Sequence, residues 1–185
     1  IVFYLNILKI FESMNVRVVN NARSIESTVD KLYTSYLLNK NKINCPETYI
    51  FRGQKAASGF ISNYNFKSKL IYKPLFGSQG DNIRLIERSS DLEKLENQTN
   101  IYYFQEYLDN SPNYDYRVLV INNNDNIKYF YMTRYGETFI NNFSKGAKCI
   151  KEKLNDNYKL ELKKDLSLIA LQGPDAKNIL GKILP

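Results

Sequence analysis

The chain has 185 residues, enough for one ordinary domain or a domain with an appended piece, and 43% hydrophobic residues permit a packed core and exclude wholesale disorder. Lys and Arg number 26 against 19 Asp and Glu, a formal charge of +7 that favours anionic partners. The absence of histidine excludes Ser-His, Cys-His and His-metal chemistry within these residues.

Cys45 and Cys149 are too far apart in sequence to form a metal motif and too few for a disulfide framework. The first residue is Ile1 rather than Met, so the natural start is expected upstream. The apolar run from Ile1 to Phe11 is too short to cross a bilayer. It also lacks the basic flank and cleavage site of a signal peptide, so no membrane partner is expected and the cytoplasm is the expected compartment.

In chain order, Tyr4, Ile7, Leu8 and Phe11 recur at helical spacing and predict an amphipathic helix. Val16 to Val19 is a short β-branched run ended by the Asn20-Asn21 turn signal. Ser24 is expected to cap a helix over Ile25 to Val29. Asp30 opens another over Lys31 to Asn39, with Leu32, Tyr33, Tyr36 and Leu37 on one face. Strands are expected over Thr48 to Phe51 and over Leu70 to Lys73, the second ending at Pro74. A Gly-rich turn from Phe76 to Asn82 leads into a strand over Ile83 to Ile86, and Ser89-Ser90 starts a polar helix. Ile101 to Tyr107 reads as an aromatic strand, and Arg117 to Ile121 with Ile127 to Arg134 as a hairpin. Alternating helices and strands followed by antiparallel strands make an α+β pattern.

Three stretches carry chemistry. Lys73 ends a strand just before a Gly-containing turn, which can present an ammonium and backbone N–H groups to phosphate oxygens. No G-K-[ST] follows, so this is not a Walker A loop. Phe104-Gln105-Glu106-Tyr107-Leu108 runs from a strand into a connector, which can offer main-chain groups to a base edge, with the carboxylate of Asp115 further on for ribose hydroxyls. Arg134 with Asn142, Lys145 and Gly146 supplies donors suited to phosphate or carboxylate. Taken singly, these also read as a hairpin, a core strand and a polar loop.

Together they form an ordered set: Asp30-Lys31, Pro46-x-Thr48, Tyr72-Lys73-Pro74 with Gly77-Ser78-Gln79-Gly80, Gln105-Glu106-Tyr107, Asp115-x-Arg117, and Asn142-x-x-Lys145-Gly146-Ala147. In that order they resemble the RimK-like ATP-grasp ligases of the glutamate ligase type, over roughly Leu8 to Leu154. The resemblance implies an incomplete ATP-grasp nucleotide-binding fold, with ATP held between two α+β subdomains. It implies that a carboxylate acceptor is phosphorylated and that an amino-acid donor such as glutamate then attacks the acyl phosphate. Lys31 and Lys73 would meet phosphate or adenine-proximal groups, and Gly77, Ser78, Gln79 and Gly80 would form the loop over the phosphates. Glu106 and Tyr107 would face adenine with Gln105 and Leu108 beside them, and Asp115 would face the ribose. Arg134 and Asn142 would stand at the catalytic end, near the triphosphate and substrate. The loop is expected to move without ligand, because few apolar side chains anchor it.

Two departures qualify this. Asp81-Asn82 stands where glycine is common after the loop; Asn tolerates positive φ, and Asp81 adds a carboxylate near the phosphates. The family also binds Mg2+ through an acidic residue and a Glu-x-Asn pair, and no such pair follows Asn142. The expected outcome is a chain that binds ATP but does not ligate by itself.

The domain reading is residues 1–20 as the end of a preceding linker or helix, 21–155 as a partial ATP-grasp domain, and 156–185 as a tail. Within the tail, Leu168 to Ala176 resembles a short piece of the glycine cleavage T-protein, an aminomethyltransferase. The alternative is a non-catalytic basic module that binds nucleic acid or another polyanion. Its basic residues are scattered, however, the longest run noted being Lys163-Lys164, and no zinc-finger or RNP-type signature accompanies them.

Overall fold

A computed structural model describes residues 1–109, 112–123 and 126–151. The tail and its T-protein-like segment lie outside the described residues.

Three helices come first: α1 (Val2–Ser13), α2 (Ala22–Val29) and α3 (Lys31–Lys40). The Val16 to Val19 run joins no sheet. Ser24 is not the cap of α2. Asn21 holds that position, and its side chain accepts from the Ser24 amide at 2.7 Å, so the helix starts three residues earlier than expected. Asp30 does cap α3, accepting from the amides of Leu32 and Tyr33.

The apolar face expected on α3 does not go inside: Leu32, Tyr33 and Tyr36 are 44%, 45% and 53% exposed. What α3 turns inward is polar, namely Lys31, which donates to the carbonyls of Leu75 and Gly77, and Ser35, which bonds to Tyr103 in one of the strands that follow.

Those strands are β1 (Thr48–Arg52), β2 (Leu70–Lys73), β3 (Arg84–Ile86) and β4 (Ile101–Glu106). They form one antiparallel sheet in the order β1-β4-β2-β3. Between β1 and β2 lies α4 (Gln54–Asn63), which the sequence reading passed over; Gly53 precedes it at φ +93°, a conformation open to glycine at little cost. A 3-10 turn over Ser89–Lys94 follows β3, where a polar helix was expected.

A strand sends successive side chains to opposite faces, and β4 uses this fully. Tyr102 and Phe104 enter the core with Leu70, Tyr72 and Ile86, against Ala57 and Ile61 of α4 and Leu92 of the 3-10 turn. Phe60, Tyr49 and Phe51 close the cluster through ring contacts of 4.6 and 4.8 Å between centroids. Tyr103 and Gln105 take the other face.

The second sheet is a long hairpin, β5 (Tyr114–Asn123) and β6 (Asn126–Tyr135), followed by β7 (Lys148–Lys151) on the free edge of β6. The hairpin is longer at both ends than its apolar runs, because the ladder continues through polar residues such as Asp115 opposite Arg134. A 3-10 turn over Phe143–Lys145 leads into β7, and Gly146 at φ +92° ends it.

Phe104 is fully buried at the centre of the aromatic cluster. Phe104→Ala should therefore lower unfolding stability by about 3–5 kcal/mol, read by chemical denaturation. A loss below 1 kcal/mol would show that the core does not rest on this strand.

Candidate functional site

Two adjoining cavities of about 470 and 160 Å³ lie where loops from the two sheets meet. Lys73, Ile83, Arg134 and Asn142 line both. Lys31, Gly77, Ser78, Gln79 and Gly80 line the larger one. Gln105, Glu106, Tyr107, Leu108 and Asp115 line the smaller. The residues expected to meet ATP thus all border one of these two cavities, whereas Lys145 and Gly146 line neither.

The larger cavity gathers cations. Lys31 sits in the first turn of α3 and donates to the carbonyls of Leu75 and Gly77 at 3.1 and 3.2 Å. Burial pulls its pKa below the usual lysine value, and the Asp30 carboxylate opposes the shift. Lys73 ends β2 and donates to the side-chain oxygen of Gln105 at 2.6 Å. Burial, and then the nearby Lys31 ammonium, lower it to about 8. Arg117 and Arg134 complete the set. Arg117 was quoted in the Asp115-x-Arg117 motif but given no role; being two residues from Asp115 on one strand, it shares that face.

The Gly-rich loop is tethered more firmly than its composition implies. Lys31 holds its start, Ser144 donates to the Gln79 carbonyl at 3.1 Å, and Lys145 pairs with Asp81. These ties come from residues far away in sequence. Gly80, at φ +79°, backs onto the loop beyond β6: a Cβ there would stand 2.8 Å from Ile140 Cγ2 and 2.9 Å from Asn142 Oδ1. Glycine is needed for both the angle and the approach. Asn82 takes φ +55°, the conformation its side chain tolerates. Asp81 does border the larger cavity, with Lys145 as its partner.

The smaller cavity is more apolar. Ile71, Ile83, Leu108, Phe139 and Ile140 contribute to its wall, and the Tyr107 and Phe139 rings meet edge to face at 6.2 Å. Part of the backbone at the end of β4 is already engaged. The amides of Glu106 and Tyr107 donate to the carbonyls of Glu47 and Lys69, both at 2.9 Å, so neither is available to a base. Asp115 is engaged as well. Both its carboxylate oxygens accept from Arg134, Nε at 2.7 Å and Nη2 at 2.6 Å, and both residues are buried. This pairing aims the guanidinium, because a buried charge demands a partner.

Removing one member of that fork leaves the other charged and buried. Arg134→Ala should cost about 3–5 kcal/mol of stability in a denaturation series, and Asp115→Asn less, since an amide can still accept one of the two bonds. An Arg134→Ala chain as stable as the wild type would contradict the pairing.

Among the described residues no helix is long and apolar enough to cross a membrane, and no group of three or more Cys, Asp or Glu side chains could hold a metal ion.

The chain is similar to proteins of known activity. It is 29% identical over 160 residues to the tetrahydromethanopterin:alpha-L-glutamate ligase of Methanosarcina acetivorans, covering 78% of this chain and 48% of that protein. It is 30% identical over 165 residues to the coenzyme gamma-F420-2:alpha-L-glutamate ligase of Methanococcus maripaludis, covering 86% and 56%. The chain thus spans about half the length of the curated relatives it matches. The crystal structure of N5-carboxyaminoimidazole ribonucleotide synthetase from Thermotoga maritima superposes with a TM-score of 0.55 at 18% identity, over 70% of this chain and 33% of that one, a likeness of fold. The RimK-like ATP-grasp domain matches residues 28–175, most of the sequence, and the chain belongs to that family.

Proposed function

We propose that this chain supplies the nucleotide-binding part of an ATP-dependent carboxylate–amine ligase. In this reading ATP phosphorylates a carboxylate acceptor, and an amino acid such as glutamate attacks the acyl phosphate. The observation that carries it is the meeting of Lys31, Lys73, Arg117 and Arg134 at one cavity beside a smaller apolar one. A triphosphate needs converging cations, and a base needs a flat apolar slot next to them. The two glutamate ligases among the relatives support the same class of reaction.

Each residue has work suited to it. Lys73 and Lys31 would neutralise phosphate oxygens, and the Gly77 to Gly80 loop would approach them with its backbone. Arg134, held by Asp115, and Asn142 border both cavities and would stand where the phosphates meet the acceptor. Tyr107 and Leu108 would flank adenine. A nucleic-acid module would instead spread cations along an open face, so their concentration at one cavity favours the nucleotide.

Mg2+ serves this family, but the described residues do not fit it. Asp81 is paired with Lys145 and Asp115 with Arg134, and no acidic group gathers beside the cations.

At pH 7, Lys73→Ala should lower ATP affinity by about 1.5–3 kcal/mol in calorimetry, the worth of a hydrogen bond to a charged group. Equal affinity in the two proteins would overturn the nucleotide reading.

The pH dependence has a definite sign. The charged ammonium is the form that binds phosphate, and in the free chain it is lost as pH rises through about 8. ATP affinity should therefore fall between pH 8 and 9.5, binding should take up a proton there, and Lys73→Ala should remove both effects. Calorimetry in buffers of different ionisation enthalpy reads the proton directly.

A further inference from the structure

Pro46-x-Thr48 is one of the ordered motifs of the sequence, and Thr48 lines neither cavity. Its place is in the sheet. Thr48 on β1 stands directly opposite Gln105 on β4, and Lys73 on β2 stands opposite Tyr103. Thr48, Gln105, Tyr103 and Lys73 therefore share the face turned away from the aromatic core.

The hydrogen bonds that join Thr48, Gln105 and Lys73 run in one sense. Thr48 Oγ1 donates to the Pro46 carbonyl at 3.0 Å, and a carbonyl only accepts, so the single hydroxyl proton is committed. What Thr48 presents to Gln105 is a lone pair, which accepts from Nε2 at 3.1 Å. Nε2 also donates to the Tyr103 hydroxyl at 3.3 Å, and that hydroxyl is bonded to Ser35 Oγ on α3 at 2.8 Å. With its nitrogen held on this side, the amide turns Oε1 to Lys73, whose ammonium donates at 2.6 Å. The reverse orientation would set an NH2 group against an ammonium, which has no lone pair to accept it.

We propose that Thr48 is a positioning residue for the Lys73 ammonium. It acts through the Gln105 side-chain amide, with Tyr103 and Ser35 as a second anchor, and sets where that cation stands in the larger cavity. A neutral acceptor suits the task. A carboxylate would pair the charge and hold it back from phosphate, whereas an amide aims the ammonium and leaves its charge for the ligand. Gln105 thereby serves the nucleotide indirectly, by holding Lys73. The consequence for ATP rests on the nucleotide reading above; the positioning itself does not.

The test has two arms, both on the full chain. In the first, without nucleotide, the Lys73 side chain is titrated by NMR in wild type, Thr48→Val, Tyr103→Phe and Thr48→Ser. An amide released from its anchors accepts less well from the ammonium, so Thr48→Val and Tyr103→Phe should each lower the Lys73 pKa. Thr48→Ser, which keeps the hydroxyl, should leave it unchanged. Gln105→Glu should raise it. No movement of the Lys73 titration in either Thr48→Val or Tyr103→Phe overturns the proposal.

The second arm measures ATP affinity for Thr48→Val in the wild-type and Lys73→Ala backgrounds. Thr48→Val should weaken ATP roughly threefold to tenfold, the worth of one neutral hydrogen bond, and should have no effect once Lys73 is alanine. A loss of equal size in both backgrounds would mean that Thr48 acts on the sheet in general, and would also overturn the proposal. If the titration shifts while ATP affinity ignores Lys73 altogether, the positioning stands and the nucleotide reading falls.

Discussion

Everything at this site depends on the register of β4 between β1 and β2. That strand is flanked on both sides, so its backbone is held by two ladders and its alternation cannot drift. One set of side chains, Tyr102 and Phe104, is driven into the aromatic core by the removal of apolar surface from water. The other set, Tyr103 and Gln105, is thereby forced to the face that bears Thr48 and Lys73. A slip of one residue would bury the polar set and expose the rings, so the hydrophobic core is what holds the polar network in place.

The buried cations are handled in two different ways. Arg134 receives a carboxylate, in a two-point fork that fixes the plane of its guanidinium. Lys73 receives a neutral amide and has a second ammonium, that of Lys31, close enough to depress its pKa. The first arrangement fixes the direction of a cation that borders both cavities. The second leaves positive charge that a polyanion can relieve. The contrast follows from the strands: Asp115 and Arg134 are cross-strand partners in the long hairpin, whereas Lys73 lies in a sheet whose neighbouring side chains on that face are hydroxyls and an amide.

The Gly-rich loop belongs to both sheets. It leaves β2 in the first sheet, but Ser144 and Lys145, beyond the hairpin of the second, hold its middle, and Gly80 makes room for Ile140 and Asn142. A loop of few apolar residues is thus kept over the cavity by polar ties from about 65 residues away. Any ligand that binds beneath it must be accommodated by these ties as well as by the cations.

Much of this was legible in the sequence. Strand positions followed from β-branched and aromatic runs, α3 from its Asp30 cap, and the residues expected to meet ATP, all of which border one of the two cavities, from an ordered set of motifs. These features are local, or depend on residue order alone, and so the chain carries them before it folds. Partnership is different, because it depends on which residues the registers set side by side. Nothing along the chain shows that β6 places Arg134 opposite Asp115, or that the Glu106 and Tyr107 amides go to the carbonyls of Glu47 and Lys69. The apolar residues of α3 looked like a core face, but its inward contacts are polar: Ser35 meets the Tyr103 hydroxyl and Lys31 meets the carbonyls of Leu75 and Gly77. The sequence determined which groups could bind a nucleotide; the tertiary structure decided which of them are already bound to one another, because a hydrogen bond or ion pair across strands is set by register and not by distance along the chain.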